Sequence, residues 1–594
     1  RAPLFLGPEQ GAPQGKSFGF AVMMTINAIL GAGILSLPYA ILKGGLLLGI
    51  PFLLLVTGLA YITASWIVEA QSRAQALAQL TVQAFQLSDA EFRPEETVDV
   101  FVAPALQLLL RATESQPAGR EMPSPIDPAS DGDRYLSPRR SRPGDRSRSS
   151  SPGSRSEILA ETKISLDSQR RSGQSSTFHL PPLPSDFQVT DEKRIFEINE
   201  LCRMFLGTKG QRAYEVSLFL YVYSTLWLYS SIVANTLVTI IPFPHLTHFL
   251  ECDCYAAVFP DNCQLAYRLS LAHLCLLFLP MCFVEISALA RVQVVLNVLG
   301  YTCIATMVLS VAAGICLVPA PGTHGSAAPP YINHPPAVDL KGFGILFATT
   351  IFTQMGHWGV PSVTQALADK TKINTVLATA FSITFTLYTI LGVLCVLYFG
   401  DTTLPTVTLN WRHFSLSQGG DRPVWMQALS TAVVAVPVFT ISCAIPMFIH
   451  TLANNILASV SKETWKALLC QTEDDEALTS EEVWPPYRLK VAARLFTLVP
   501  PFVLAMVERD ASAIVSLCGL FGFVLMFFVP ALLQWYSIST FQRLWPHIRG
   551  VAHTPFDGWT SHRAVVVVLL SCSFVGFLFN AITVIEKVFK IDVH

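Results

Sequence analysis

Hydrophobic positions along this chain fall in long unbroken runs, not in the alternating or one-in-three-or-four patterns of half-buried strands and surface helices. The runs are Phe18–Leu42, Leu46–Ala70, Ala213–Ile241, Ala266–Glu285, Val292–Val318, Phe343–Ala366, Thr375–Phe399, Val424–Asn455, Val491–Val507, Ile514–Tyr536 and Ala564–Val588. A helix needs about 20 mostly apolar residues to cross a bilayer. The pattern therefore predicts an all-α integral membrane protein with about eleven transmembrane helices.

Composition agrees: 51% of residues are hydrophobic and 14% charged, against about 25% charged in soluble domains. A net charge of -2 gives no reason to expect a nucleic-acid partner. The basic residues matter through their position. Lys16, Arg73, Lys209, Arg212, Arg291, Lys370, Lys372, Lys462, Lys466, Arg488, Lys490, Arg494, Arg543, Arg549 and Arg563 fall on one side if the N-terminus is cytoplasmic. Residues 1–17 are then a short cytoplasmic segment, and an odd number of spans puts the tail around Lys590 on the opposite side. The first run is of full spanning length with no cleavage site after it, so it reads as a helix and not as a cleavable signal.

Residues 71–212, between the second and third runs, are polar, and from 112 to 185 they are rich in Ser, Pro and Arg, as in Ser137-Pro138-Arg139-Arg140-Ser141. Such a composition buries too little apolar surface to fold alone, so a disordered cytoplasmic insertion is expected. Its Ser-Pro and Arg-Ser pairs suit cytoplasmic kinases or regulators, or a passive spacer. It lacks the interleaved aromatics that stack on nucleic-acid bases. Leu77–Leu110 has the apolar content of an interfacial helix. Ile195, Ile198, Leu201, Cys202 and Phe205 recur at helical spacing, which fits a helix lying on the membrane or one packed on the bundle.

Two runs carry internal breaks. In the first, Asn27 precedes Gly31-Ala32-Gly33 and then Pro38; in the sixth, Gly356-His357-Trp358-Gly359-Val360-Pro361 repeats the arrangement. Glycine permits non-helical backbone, and a proline suits the first turn of a restarted helix, whose exposed amides would face the gap. Unpaired backbone at this depth survives only where it is buried in protein or lines a cavity. The two breaks lie five spans apart, and five is odd, so the second set of five would be inverted relative to the first. Paired interruptions of this kind mark binding sites in secondary transporters.

The stretch Asn27-Ala28-Ile29-Leu30-Gly31-Ala32-Gly33-Ile34-Leu35-Ser36-Leu37-Pro38-Tyr39-Ala40 resembles the first-helix motif of the amino acid/auxin permease superfamily. Val68-Glu69-Ala70, Pro437-Val438-Phe439-Thr440-Ile441-Ser442, Thr497-Leu498-Val499-Pro500-Pro501 and Thr408-Leu409-Asn410 extend the resemblance across both halves. It implies a five-plus-five inverted repeat of the LeuT-like kind with one extra helix. It also implies that Gly31, Ala32 and Gly33 hold a solute's amino and carboxyl groups, while Gly356, His357 and Trp358 line its side-chain pocket. Family sodium sites pair a first-helix asparagine or carbonyl with a hydroxyl of the eighth helix, which here corresponds to Asn27 with Thr440 and Ser442. Other members couple to protons, so the resemblance leaves sodium ion or proton open, and no further cofactor is expected.

Of the ionisable residues in or near spans, Glu69, Glu285, His273, Glu508 and Glu586 sit near span ends, where a solvated or snorkelling side chain is expected. His357 sits inside a break and could exchange protons. Tyr223 and Trp227, one turn apart, are candidates for the solute path. In the loop after the third run, Cys252, Cys254 and Cys263 suggest one disulfide and a leftover thiol. The 252/254 pairing is the least comfortable geometry, which leaves Cys263 with Cys252 or Cys254; zinc held with His245 and His248 is the alternative. No nucleophile-base pair, phosphate loop or metalloprotease motif argues for an enzyme. The sequence reads as a secondary active transporter of amino acids or related small solutes, in the plasma membrane or an endolysosomal membrane. A nutrient sensor with the same fold is its rival, and a channel would need a continuous polar stripe that the runs lack.

Overall fold

The computed structural model describes residues 16–86, 196–240, 252, 260–284, 286–317, 335–414, 423–459, 487–546 and 550–589. Arg1–Leu77 and Gln188–His594 form one compact unit. Ala78–Phe187 form a second, of which only the helical stretch 78–86 is described.

The described residues are helical, without strands. The helices are α1 (Phe18–Ile29), α2 (Gly33–Gly44), α3 (Leu46–Gln86), α4 (Gly207–Ile240), α5 (Asp261–Met281), α6 (Ile286–Leu317), α7 (Phe343–Thr353), α8 (Val360–Ala366), α9 (Ile373–Phe399), α10 (Val424–Ser459), α11 (Tyr487–Val507), α12 (Ala511–Phe523), α13 (Val529–Leu544) and α14 (Arg563–Phe589). Among the described residues nine helices are long and apolar enough to cross a bilayer, ten if the bent pair α1/α2 counts as one span. The sixth apolar run misses this measure because it folds as two pieces, α7 and α8, each too short alone. A π-turn at Val524–Phe528 links α12 and α13 into a single span, Ala511–Leu544.

Local chemistry accounts for several boundaries. Ser17 caps α1 by accepting from the Phe20 amide, and Asp510 caps α12 by accepting from Ser512 at 2.9 Å. These side chains satisfy amides that a helix start leaves without partners. Pro361 lies in the first turn of α8, where its missing N–H is no loss. Pro38 does not restart α2 as the sequence suggests: the helix resumes earlier, at Gly33, and Pro38 falls inside it.

The second apolar run also extends further than its hydrophobicity indicates. α3 continues to Gln86, so residues 77–86 belong to that helix and not to a separate interfacial one. Ahead of α4, a short helix at Ile198–Leu201 and a π-turn at Cys202–Leu206 bury Ile198, Leu201, Cys202 and Phe205. The Phe196 carbonyl accepts from Gln71 of α3 at 2.9 Å. This amphipathic segment is thus packed on the bundle; Ile195 lies outside the described residues.

Within the bundle α7 packs between α2 and α12, α10 between α4 and α6, and α1 against α9. The two interrupted helices therefore sit at its centre.

Candidate substrate site at two crossed helix breaks

At the first break α1 ends at Ile29, the chain turns through Leu30–Ala32, and α2 leaves at 60° to α1. Gly31 is exposed, and its amide reaches back to the Ile29 carbonyl at 2.9 Å. In the first turn of α2 the Leu35 amide donates to the Ala32 carbonyl at 3.0 Å, the Gly33 and Ile34 amides lie beyond the reach of intrahelical acceptors, and the positive dipole end of the helix faces the turn. At the second break α7 ends at Thr353 and a single 3-10 turn, His357–Gly359, precedes α8.

The breaks lie directly against each other, and glycine makes the approach possible. A Cβ on Gly33 would stand 2.7 Å from Thr353 Cγ2 and 3.0 Å from Thr353 Cα. One on Gly356 would meet Ile29 Cγ1 at 2.6 Å, and one on Gly359 would meet the Ala28 Cβ at 3.0 Å. Tyr388 of α9 ties the crossing together. Its hydroxyl lies 3.2 Å from the Ile29 carbonyl and 3.1 Å from the Thr353 carbonyl, the last carbonyls of α1 and α7.

Aromatic rings wall the crossing. Tyr229 of α4 has its hydroxyl 3.3 Å from where a Gly31 Cβ would stand, and it faces the Ala32 amide. Its ring meets Phe448 of α10 edge-on at 5.8 Å, and Phe448 meets Trp358 edge-on at 6.4 Å. Tyr221 lies beside Phe352 at 6.3 Å. The polar side chains of the second break turn to α3 instead. Gln354 donates to Thr57 at 2.8 Å, and His357 Nε2 pairs with Thr63 at 2.8 Å. The Thr63 hydroxyl already donates to Leu59 and Ala60, so His357 is the donor and its Nδ1 is left without a partner. The arrangement sets the start of α2, with its Gly33 and Ile34 amides, beside uncharged aromatic walls, which suits a small molecule carrying an anionic group and an apolar part.

Gly31, Ala32, Gly33, Gly356, His357 and Trp358 are thus brought together. Tyr223 is placed elsewhere, stacked on Phe219 at 5.2 Å, and Trp227 donates to the Glu508 carbonyl. The α4 residues that reach the breaks are Tyr221 and Tyr229. Asn27 is exposed one turn before the first break. The Thr440 hydroxyl returns to the Pro437 carbonyl at 3.3 Å and its methyl faces Gly300 of α6; Ser442 is half-buried. Phe448, the α10 residue at the crossing, lies eight residues beyond Thr440, about 12 Å along the helix. Tyr388, Tyr229 and Phe448 carry no signal in the sequence beyond aromaticity.

Outside the crossing, Cys252 and Cys263 form a disulfide, while Cys254, His245 and His248 lie outside the described residues. No group of three or more His, Cys, Asp or Glu residues suited to a metal occurs among the described residues. His273 is exposed and Glu508 half-buried, whereas Glu285 and the Glu586 side chain lie outside the described residues. Glu69 is neither solvated nor snorkelling. It is buried, and so is Arg73, because each is fully engaged by partners from other elements.

The fold and site thus define a multi-pass helical membrane protein whose two broken helices cross between aromatic rings. Residues 14–79 and 186–579, most of the chain, match the family of transmembrane amino acid transporter proteins, and the chain belongs to that family. It is similar to a Transmembrane protein 104 homolog of Dictyostelium discoideum, 24% identical over 583 residues that make up 95% of this chain and 97% of that protein. It is also similar to Transmembrane protein 104 of Homo sapiens, 22% identical over 522 residues, 86% of this chain and 85% of that protein. A homolog of Drosophila melanogaster is 20% identical over 363 residues, 59% of this chain and 66% of that protein. The chain is thus an amino acid transporter-like protein of the bilayer, and its family points to solute handling and away from catalysis.

Proposed function

We propose that the protein is a secondary active transporter of amino acids or related small solutes, working by alternating access with the solute held where the two breaks cross. The observation that carries this reading is the crossing itself: Gly33 against Thr353, Gly356 against Ile29, and Tyr388 on the carbonyls of both broken ends. Counting each broken pair as one crossing of the bilayer makes eleven spans, a number that supports a five-plus-five inverted plan with one extra helix. Gly31, Ala32 and Gly33 take the solute's carboxylate and amino group, and Trp358, Tyr229 and Phe448 take its side chain.

A sodium or proton gradient drives the cycle. The sodium reading uses Asn27 with Thr440 or Ser442. The proton reading uses His357, whose Nδ1 is buried without a partner. Uptake of labelled amino acids into proteoliposomes, with and without imposed sodium and proton gradients, tests the proposal. Gradient-driven accumulation is expected, and its ion dependence chooses between the two readings. Binding without accumulation would replace the transporter with a sensor of the same fold.

A further inference from the structure

The Arg73 guanidinium, deep in the bundle at 2% exposure, has an acceptor for each of its five N–H donors. Nε donates to the Ala552 carbonyl at 2.8 Å. Nη1 donates to Gln534 at 2.8 Å and Ser537 at 3.1 Å, both on α13. Nη2 donates to Glu69, one turn earlier on α3, at 3.1 Å, and to Asp557 at 3.3 Å. Glu69 also accepts from Gln534 and Ser561. Residues 550–562, between α13 and α14, are further fixed to α9, where Asn374 donates to the Phe556 carbonyl at 3.1 Å.

All of this lies on the Lys16 side of the molecule. α1 and α2 carry the chain across, α3 brings it back, and Lys16 itself pairs with the end of α8 at Ala366 and with Ala368 just beyond it. One cation meets two carboxylates, and the partition between segments is informative. If residues 550–562 move away, Arg73 keeps Glu69, Gln534 and Ser537. Asp557 keeps His553 of its own segment, at 2.9 Å and 70% exposed, and Thr554. Neither side is left with a buried unpaired charge, the state that makes breaking most buried ion pairs so unfavourable. A pair that served only to hold the fold would need no such reserve on each side.

We infer that Arg73 and Asp557 form a releasable lock, with residues 550–562 a lid over the Lys16-side end of α3 that must undock for the protein to open on that side. The consequence for flux rests on the transporter reading; the lock itself does not. Hydrogen exchange measured by mass spectrometry on the full chain in nanodiscs separates the two. In Asp557→Asn, amides His553, Asp557, Gly558 and Ser561, all bonded within the lid, exchange at least about tenfold faster. Peptides around Glu69–Arg73 and Gln534–Ser537 stay as protected as before. Asp369→Asn, which removes an exposed carboxylate with its own local partners, leaves the lid unchanged.

Unaltered lid exchange in Asp557→Asn would overturn the lock, as would equal loosening of α3 and α13, which would make the cluster a pillar of the fold. With the same proteins in proteoliposomes, turnover should change by at least about threefold with little change in KM; a loosened lid with unchanged turnover would overturn its role as a gate. Absence of uptake by the unaltered protein would reject the transporter reading and leave the lock to be decided by exchange alone.

Discussion

Gly33 and Thr353 touch so closely that any side chain on the glycine must push the threonine aside, since a Cβ there would stand 2.7 Å from Thr353 Cγ2 and 3.0 Å from its Cα. Gly31, two residues away, has only the Tyr229 hydroxyl before it, at 3.3 Å. Gly33→Ala is therefore expected to destabilise the protein by about 1–3 kcal/mol through overpacking and to abolish uptake, while Gly31→Ala folds normally. Thermal unfolding of the two variants side by side checks this; equal stability would mean that the crossing is looser than described.

Tyr388 supplies one hydroxyl to two helix ends. Tyr388→Phe keeps the ring and removes the bond, with an expected loss of about 1–3 kcal/mol for the buried Thr353 carbonyl left unsatisfied, while the Ile29 carbonyl keeps the Gly31 amide. Because those carbonyls belong to both breaks, uptake should fall by about tenfold or more at unchanged surface expression. Retention of full uptake would remove Tyr388 from the working site.

Phe448 joins Tyr229 to Trp358 through two edge-on contacts. Edge-on pairs contribute about 0.5–1.5 kcal/mol each beyond area burial, so Phe448→Ala should raise the apparent KM for the preferred solute several-fold and shift preference toward larger side chains. Competition by a panel of unlabelled amino acids reads the shift, and an unchanged ranking would place the side-chain pocket elsewhere.

Thr63 is the acceptor for buried His357. Thr63→Val keeps the shape and removes one of the imidazole's partners, leaving it the Ala60 carbonyl, an expected destabilisation of about 1 kcal/mol. Thr63→Ser should behave as the unaltered protein in the same melt, and a Val variant equally stable would show that His357 finds another partner.

The Cys252–Cys263 disulfide closes a loop with a sequence separation of 11. Chain entropy gives such a closure about 3 kcal/mol. Cys263→Ser should lower thermal stability and leave the ion and solute preference unchanged; a change in preference would connect this loop to the site.

The sequence made the membrane class and the two breaks legible, because both signals are local. Runs of apolar residues long enough to span are visible one after another, and Gly31-Ala32-Gly33 and Gly356–Pro361 declare non-helical backbone through the conformations glycine and proline allow. Span-end reasoning failed for Glu69 because hydropathy reports only neighbours in the chain. Gln534 and Ser561, which with Arg73 one turn along the same helix keep it buried, come from distant segments. Register within α4 was likewise hidden. Tyr223 is two residues from Tyr221 and so about 200° around the helix from it, and only packing shows that Tyr221 and Tyr229 face the breaks.

By itself, then, the sequence determined that this is a multi-pass helical membrane protein and where two of its helices are interrupted, since those depend on the solvation and backbone freedom of adjacent residues. Only the tertiary structure decided that the interruptions meet, that Tyr388, Tyr229 and Phe448 surround them, and that Arg73 is bound by residues 550–562. Those contacts join residues up to 484 positions apart, and side-chain packing, not any nearest-neighbour preference, selects them.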